Sequence, residues 1–111
     1  MSPRNVNFGT LTATNTEASA ATSTATVAAI AKKAIHITGF DGASSDQPFK
    51  VELKIGGVTQ VTMQGSADTT VGREFGDDHP IVATDNTAVT VVTTPAASGN
   101  CTANVYYKIG F

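Results

Sequence analysis

Four apolar residues at consecutive odd positions, Phe49, Val51, Leu53 and Ile55, constrain this chain more than any other stretch, with Lys50, Glu52 and Lys54 between them. A period of two sends successive side chains to opposite faces of an extended strand, so one face is made for a core and the other for water. Gly56-Gly57 follows at once, and Val58, Val61 and Met63 lie beyond it. A Gly-Gly pair supplies the positive φ angles that a two-residue hairpin demands. The spacing therefore predicts a hairpin between residues 49–55 and 58–64.

The same signal recurs along the chain. Ile35 and Ile37 alternate with His36 and Thr38 until Gly39 interrupts the pattern near Phe40. Asp41-Gly42-Ala43-Ser44-Ser45-Asp46 reads as a loop by composition. Val71 and Phe75 mark another strand, shortened or bulged by Gly72 and Gly76. Ile81 to Ala83 is a brief strand, and Val89, Val91 and Thr93 form a clearer one that ends at Pro95. After the loop at 96–100, the last strand puts Cys101, Ala103, Val105, Tyr107, Ile109 and Phe111 on one face. Thr102, Asn104, Tyr106, Lys108 and Gly110 occupy the other. Tyr106 and Tyr107 thus face oppositely, one joining the core and the other left for a subunit contact.

Glu17 to Ala34 is the ambiguous segment. Its alanines favour a helix by intrinsic propensity, but Thr22, Ser23, Thr24 and Thr26 are poor helix formers and alternate with Ala25 and Val27 in a period of two, which favours a strand from Thr22 to Ile30. A short helix is the alternative. Residues 1–21 are small and polar; Phe8 to Thr14 alternates weakly, enough for one strand with few large side chains to bury, and the region reads as an extended arm ordered by contact with a neighbour. Regularly spaced short strands separated by turns predict an all-β fold. The expected form is a single jelly-roll-like β-sandwich of about eight short antiparallel strands, with 1–21 as arm and 22–111 as the domain.

The chain has 111 residues, enough for one self-sufficient core. Charged residues make up only 14% and the net charge is −2, with Lys32-Lys33 the one basic cluster, so no nucleic-acid partner is expected. Cys101 is the only cysteine, which excludes an intramolecular disulfide and reads as a buried small hydrophobe of a protein made in a reducing cytosol. Met1-Ser2-Pro3-Arg4-Asn5 lacks the pattern of a signal peptide, and no apolar run approaches the roughly 20 residues of a membrane span. No membrane partner is expected.

Candidate chemistry is sparse. Asp77-Asp78-His79 has metal-ligating and acid–base residue types, but neighbours on a strand diverge, so a polar turn before Pro80 is the favoured reading. His36 lies on the face opposite Ile35 and Ile37, as an exposed or interface side chain. Asp41 and Asp46 lack the oxygen spacing of an EF-hand and read as solvated turn residues. No serine lies in a Gly-x-Ser-x-Gly elbow, and Gly56-Gly57 does not precede a phosphate-cradling helix. With no Trp and two Tyr, aromatic sugar platforms are scarce. No catalytic residue, metal or cofactor is expected, so binding is the expected work.

Asn86-Thr87-Ala88-Val89-Thr90-Val91 and Ala103-Asn104-Val105-Tyr106-Tyr107-Lys108-Ile109 together resemble short β-proteins among the structural genes of tailed phages. Over residues 22–111 the texture is similar to capsid decoration (cement) proteins of the β-sandwich type. The resemblance implies a homotrimer on the outer surface of a virion capsid, made in the host cytoplasm, with the major capsid protein as partner and the polar arm as attachment. Phe8, Leu11, Tyr106 and Phe111 are the candidate capsid or subunit contacts. A receptor- or glycan-binding module of a phage fibre or adhesin is the alternative.

Overall fold

A computed structural model describes residues 11–18, 21–45, 49–66, 69–76, 79–84, 86–95 and 100–110. Among these, nine strands and no helix occur. In chain order they are β1 (Leu11–Glu17), β2 (Ser23–Val27), β3 (Ala34–Ser44), β4 (Phe49–Ile55), β5 (Val58–Gly65), β6 (Thr69–Glu74), β7 (Ile81–Ala83), β8 (Val89–Thr94) and β9 (Cys101–Gly110). They form two antiparallel sheets packed as a β-sandwich. One has the order β1-β9-β3-β6, with β7 also paired to β3, and the other β2-β8-β4-β5.

The β4–β5 hairpin is as the Gly-Gly pair predicts. Ile55 pairs with Val58, and the two loop residues Gly56 and Gly57 take φ of 58° and 82°. Both angles favour glycine. Ser23–Val27 is a strand, not a helix, because Ser23, Ala25 and Val27 are buried while Thr24 and Thr26 face water. Leu11–Glu17 is a strand of the sheet, in the part of the arm whose weak alternation suggests one. Its backbone pairs with β9 from Glu17↔Cys101 to Leu11↔Tyr107. Few large side chains are needed there, because ladder hydrogen bonds and Ala13 against the core hold an edge strand.

The core between the sheets is built from Val, Ile, Ala and two phenylalanines: Val27, Ile35, Ile37, Phe40, Phe49, Val51, Leu53, Val89, Val91, Ala103 and Val105 are all buried. Cys101 is buried beside them and is free, as its type predicts. Tyr107 and Ile109 pack against this cluster, which puts the odd-numbered face of β9 inward. Two buried hydroxyls tie the sheets together. Ser23 donates to the backbone oxygen of Asn15 at 2.7 Å, and Thr93 donates to the backbone oxygen of Thr102 at 3.0 Å. Both are satisfied, so neither carries a desolvation penalty.

The segment from Asp41 to Ser44 is strand, contrary to the loop that its Asp-Gly-Ser composition predicts. It pairs on both sides, with β9 and with β6. Gly42 is required at this point, because a side chain there would run into Thr93 and Val51 of the opposite sheet. Glycine here marks close sheet-to-sheet approach rather than a turn.

Candidate ligand-binding groove

The alternation of β3 changes phase in mid-strand. Ile35 and Ile37 point inward, and so do Phe40 and Ser44, so one residue must be extra. The register identifies it as Thr38: Tyr107 pairs with Ile37 and Tyr106 with Gly39. This is a β-bulge, and it coincides with a second irregularity. On the other edge of β3, β7 pairs with 35–37 and β6 with 39–44, which leaves Thr38 in the gap between them. The backbone oxygen of Thr38 accepts from the N–H groups of Phe75 and Gly76, at 2.8 and 3.2 Å. Its hydroxyl donates to the backbone oxygen of Tyr106 at 3.2 Å. Bulges re-aim side chains and are common beside binding sites.

A hollow of about 750 Å³ opens at this place on the outer face of the five-stranded sheet, within the usual size of a ligand site. Thr38, Asp41, Thr70, Arg73, Glu74 and Tyr106 line it, over backbone from Gly39 and Gly72. The glycine at 72 keeps the floor low. Any side chain there would collide with the backbone oxygen of Phe40 and with Asp41.

One wall is a connected polar network. Tyr106 donates its phenol proton to Oδ2 of Asp41 at 2.8 Å, and Nδ2 of Asn104 donates to Oδ1 at 2.6 Å. Oδ1 of Asn104 in turn accepts from the hydroxyl of Thr14 on β1. The chain of contacts crosses three strands and fixes the tyrosine ring. Burial, then the hydrogen bond and the charge of Asp41, push the Tyr106 phenol up to about 12, so it stays a neutral donor. On the other wall, Thr70 and Glu74 make no side-chain hydrogen bond or ion pair among the described residues, leaving a hydroxyl and a carboxylate for a ligand, while Arg73, paired with inward-facing Phe40, directs its side chain to the opposite face.

The residues singled out from sequence fall variously. Tyr106 lies in the groove wall. Leu11 is 44% exposed at the free edge of β1, away from the groove lining. Phe8, Phe111, Asp46, Asp77 and Asp78 lie outside the described residues. His79 is exposed, and His36 is half-buried on the outer face beside Gly110. Among the described residues no three His, Cys, Asp or Glu side chains come together as a metal site. Asp41 is the main correction, being a hydrogen-bonded strand residue rather than a solvated turn residue. Sequence reasoning missed Asn104, Thr70 and Glu74 as well. The available signal was the apolar spacing 35, 37, 40, which announces an extra residue before Phe40.

No protein-family model matches the chain, and no curated protein matches it. Among solved structures, it is similar to the CBM36-1 domain of a multidomain xylanase from the hindgut metagenome of Trinervitermes trinervoides. There the TM-score is 0.50 at 16% identity, over 92% of this chain and 97% of that one. A carbohydrate-binding module CBM36 in complex with calcium and xylotriose gives TM-score 0.44 at 21% identity, over 84% and 76% of the two chains. The extra small virus VLP of the giant freshwater prawn Macrobrachium rosenbergii gives 0.39 at 16% identity, over 96% and 83%. The first likeness is one of fold, a two-sheet β-sandwich.

Proposed function

We propose that this chain is a non-catalytic binding module that takes a saccharide in the groove between Tyr106 and Glu74. The observation that supports this best is the composition of that groove. A tyrosine ring held by Asp41 stands across from a free hydroxyl and a carboxylate. Sugars present ring C–H faces and many hydroxyls, each both donor and acceptor. An aromatic side chain with a few placed polar groups answers both features. Carbohydrate binding is also what the names of the CBM36 structures state, although the likeness to them is one of fold.

A glycan array followed by titration calorimetry tests the reading. A saturable hit is expected, weakened at least about tenfold by Tyr106→Ala or Glu74→Ala. A hit unaffected by both variants would move the site elsewhere, and no hit at all would end the reading.

The second reading is a structural protein of a virion surface, favoured by the two phage-like stretches, which supply the first half of β8 and most of β9. In that setting the chain binds the major capsid protein, as a homotrimer, through the arm and the exposed Leu11 edge. Native mass by light scattering, with co-sedimentation on capsids lacking the chain, decides it. Co-sedimentation lost on deleting residues 2–10 supports attachment by the arm, and a chain that never sediments with capsids removes the reading.

A further inference from the structure

The groove does not stand alone on its face. A second hollow, of about 210 Å³, lies toward the end of β3 between Ala43, Ser45, Thr69, Asn100 and Thr102, and shares Thr70 with the main one. A third, of about 240 Å³, lies toward the start of β3 between His36, Pro80, Lys108 and Gly110, and shares Thr38. The three are therefore consecutive along one strand. From His36 to Ser45 an extended strand covers about 30 Å, several times the width of one sugar ring.

The two shared residues explain the continuity. Thr38 is the bulged residue at the gap between β6 and β7, and it is short enough to join two hollows rather than wall them apart. Thr70 stands opposite Ala43 in the ladder, so small side chains flank the passage at the other end. At that end the backbone is pinned: Ser45 N–H donates to the Asn100 oxygen at 3.0 Å, and Asn100 N–H donates to the Ser45 hydroxyl at 2.8 Å. Hydroxyl, amide, imidazole and carboxylate groups line the whole track, which suits a ligand with repeated hydroxyls along its length.

We infer that the ligand is an unbranched saccharide chain lying along β3, with the Tyr106 groove as its central subsite, rather than a single terminal sugar. This rests on the saccharide reading above. Each ring seated in a flanking hollow adds contacts without a second loss of translational freedom, so affinity climbs with chain length until the track is full.

Calorimetry with cello-, xylo- and manno-oligosaccharides of one to six rings tests it on the unaltered protein. For at least one ladder, affinity should rise about tenfold or more between the shortest and longest members. Ala43→Arg and His36→Arg, which narrow the two ends, should lower the affinity for the longest member and leave the shortest unchanged. An affinity independent of ring number overturns the chain inference while leaving a saccharide site intact. No binding to any ladder and no array hit removes both. If a substituted protein does not melt cooperatively, the ladder on the native chain still decides.

Discussion

The outer faces of the two sheets are made of similar residues and differ in order. On the four-stranded sheet, Thr24, Thr26, Lys50 and Glu52 alternate with buried neighbours, and the one register shift among the described residues, between Leu53 and Lys54, lies beside the Gly56-Gly57 hairpin. Lys50 and Glu52, two apart on one strand, form an ion pair at 3.6 Å. On the five-stranded sheet the alternation of β3 slips at Thr38, its edge partner is split into β6 and β7, and glycines stand at 39 and 72. The hollows described above lie on this side. A regular strand face is a solvated surface, whereas a recess needs a residue out of step, missing side chains and a gap in the neighbouring strand. Those are the features concentrated around Tyr106.

The sharpest break in the comparison comes from beneath both faces. Leu53 is wholly buried in the shared core. Leu53→Ala should destabilise the fold by about 2–5 kcal/mol, read as a lower urea midpoint. Ligand affinity per folded molecule should be unchanged, because the groove belongs to the other sheet. An equal loss of affinity and stability would mean that the groove has no rigidity of its own.

Next in size is the network itself. Asp41→Ala leaves the Asn104 amide and the Tyr106 phenol without their acceptor, at an expected cost of about 1–3 kcal/mol in stability. Saccharide affinity should fall with it, since nothing then orients the ring. The matched change on the regular face, Glu52→Gln, removes only a partly exposed ion pair and should cost about 0.2–1 kcal/mol with no effect on binding. Equal costs at the two positions would erase the distinction between the faces.

This contrast also marks what the sequence can reveal. The regular half is legible because local pattern and tertiary fate agree there. The period of two in 49–55 and the Gly-Gly turn follow from spacing alone, and so, on the other sheet, does the inward face of β9. Asp41–Ser44 misleads because its residues are turn formers by local preference. Pairing on both edges overrides that preference, and Gly42 is chosen for the approach of the opposite sheet. The edge strand β1 is only faintly legible for the opposite reason, since backbone pairing to β9 compensates for weak side-chain pattern. The site could not be read because Asp41, Asn104 and Tyr106 converge only through a register, and composition does not encode register.

The finest test uses the phenol of Tyr106. Its ordinary value of 10 is raised to about 12 in the folded chain, by burial first and then by Asp41. A folded state that holds a proton more tightly than the unfolded state is stabilised by it below the unfolded value. That contribution is intact below pH 10 and is lost as pH rises through about 12. Tyr106→Phe removes the titrating group and keeps the ring. The stability difference between the native chain and this variant should therefore be constant from neutral pH to near 10, then narrow as the pH climbs toward 12. Lysines titrate alike in both proteins and cancel in the difference. Urea midpoints of the pair at stepped alkaline pH give the answer. A difference that stays level to pH 12 would show that the phenol is not held by Asp41, and the ordered wall that distinguishes this face from the other would be lost with it.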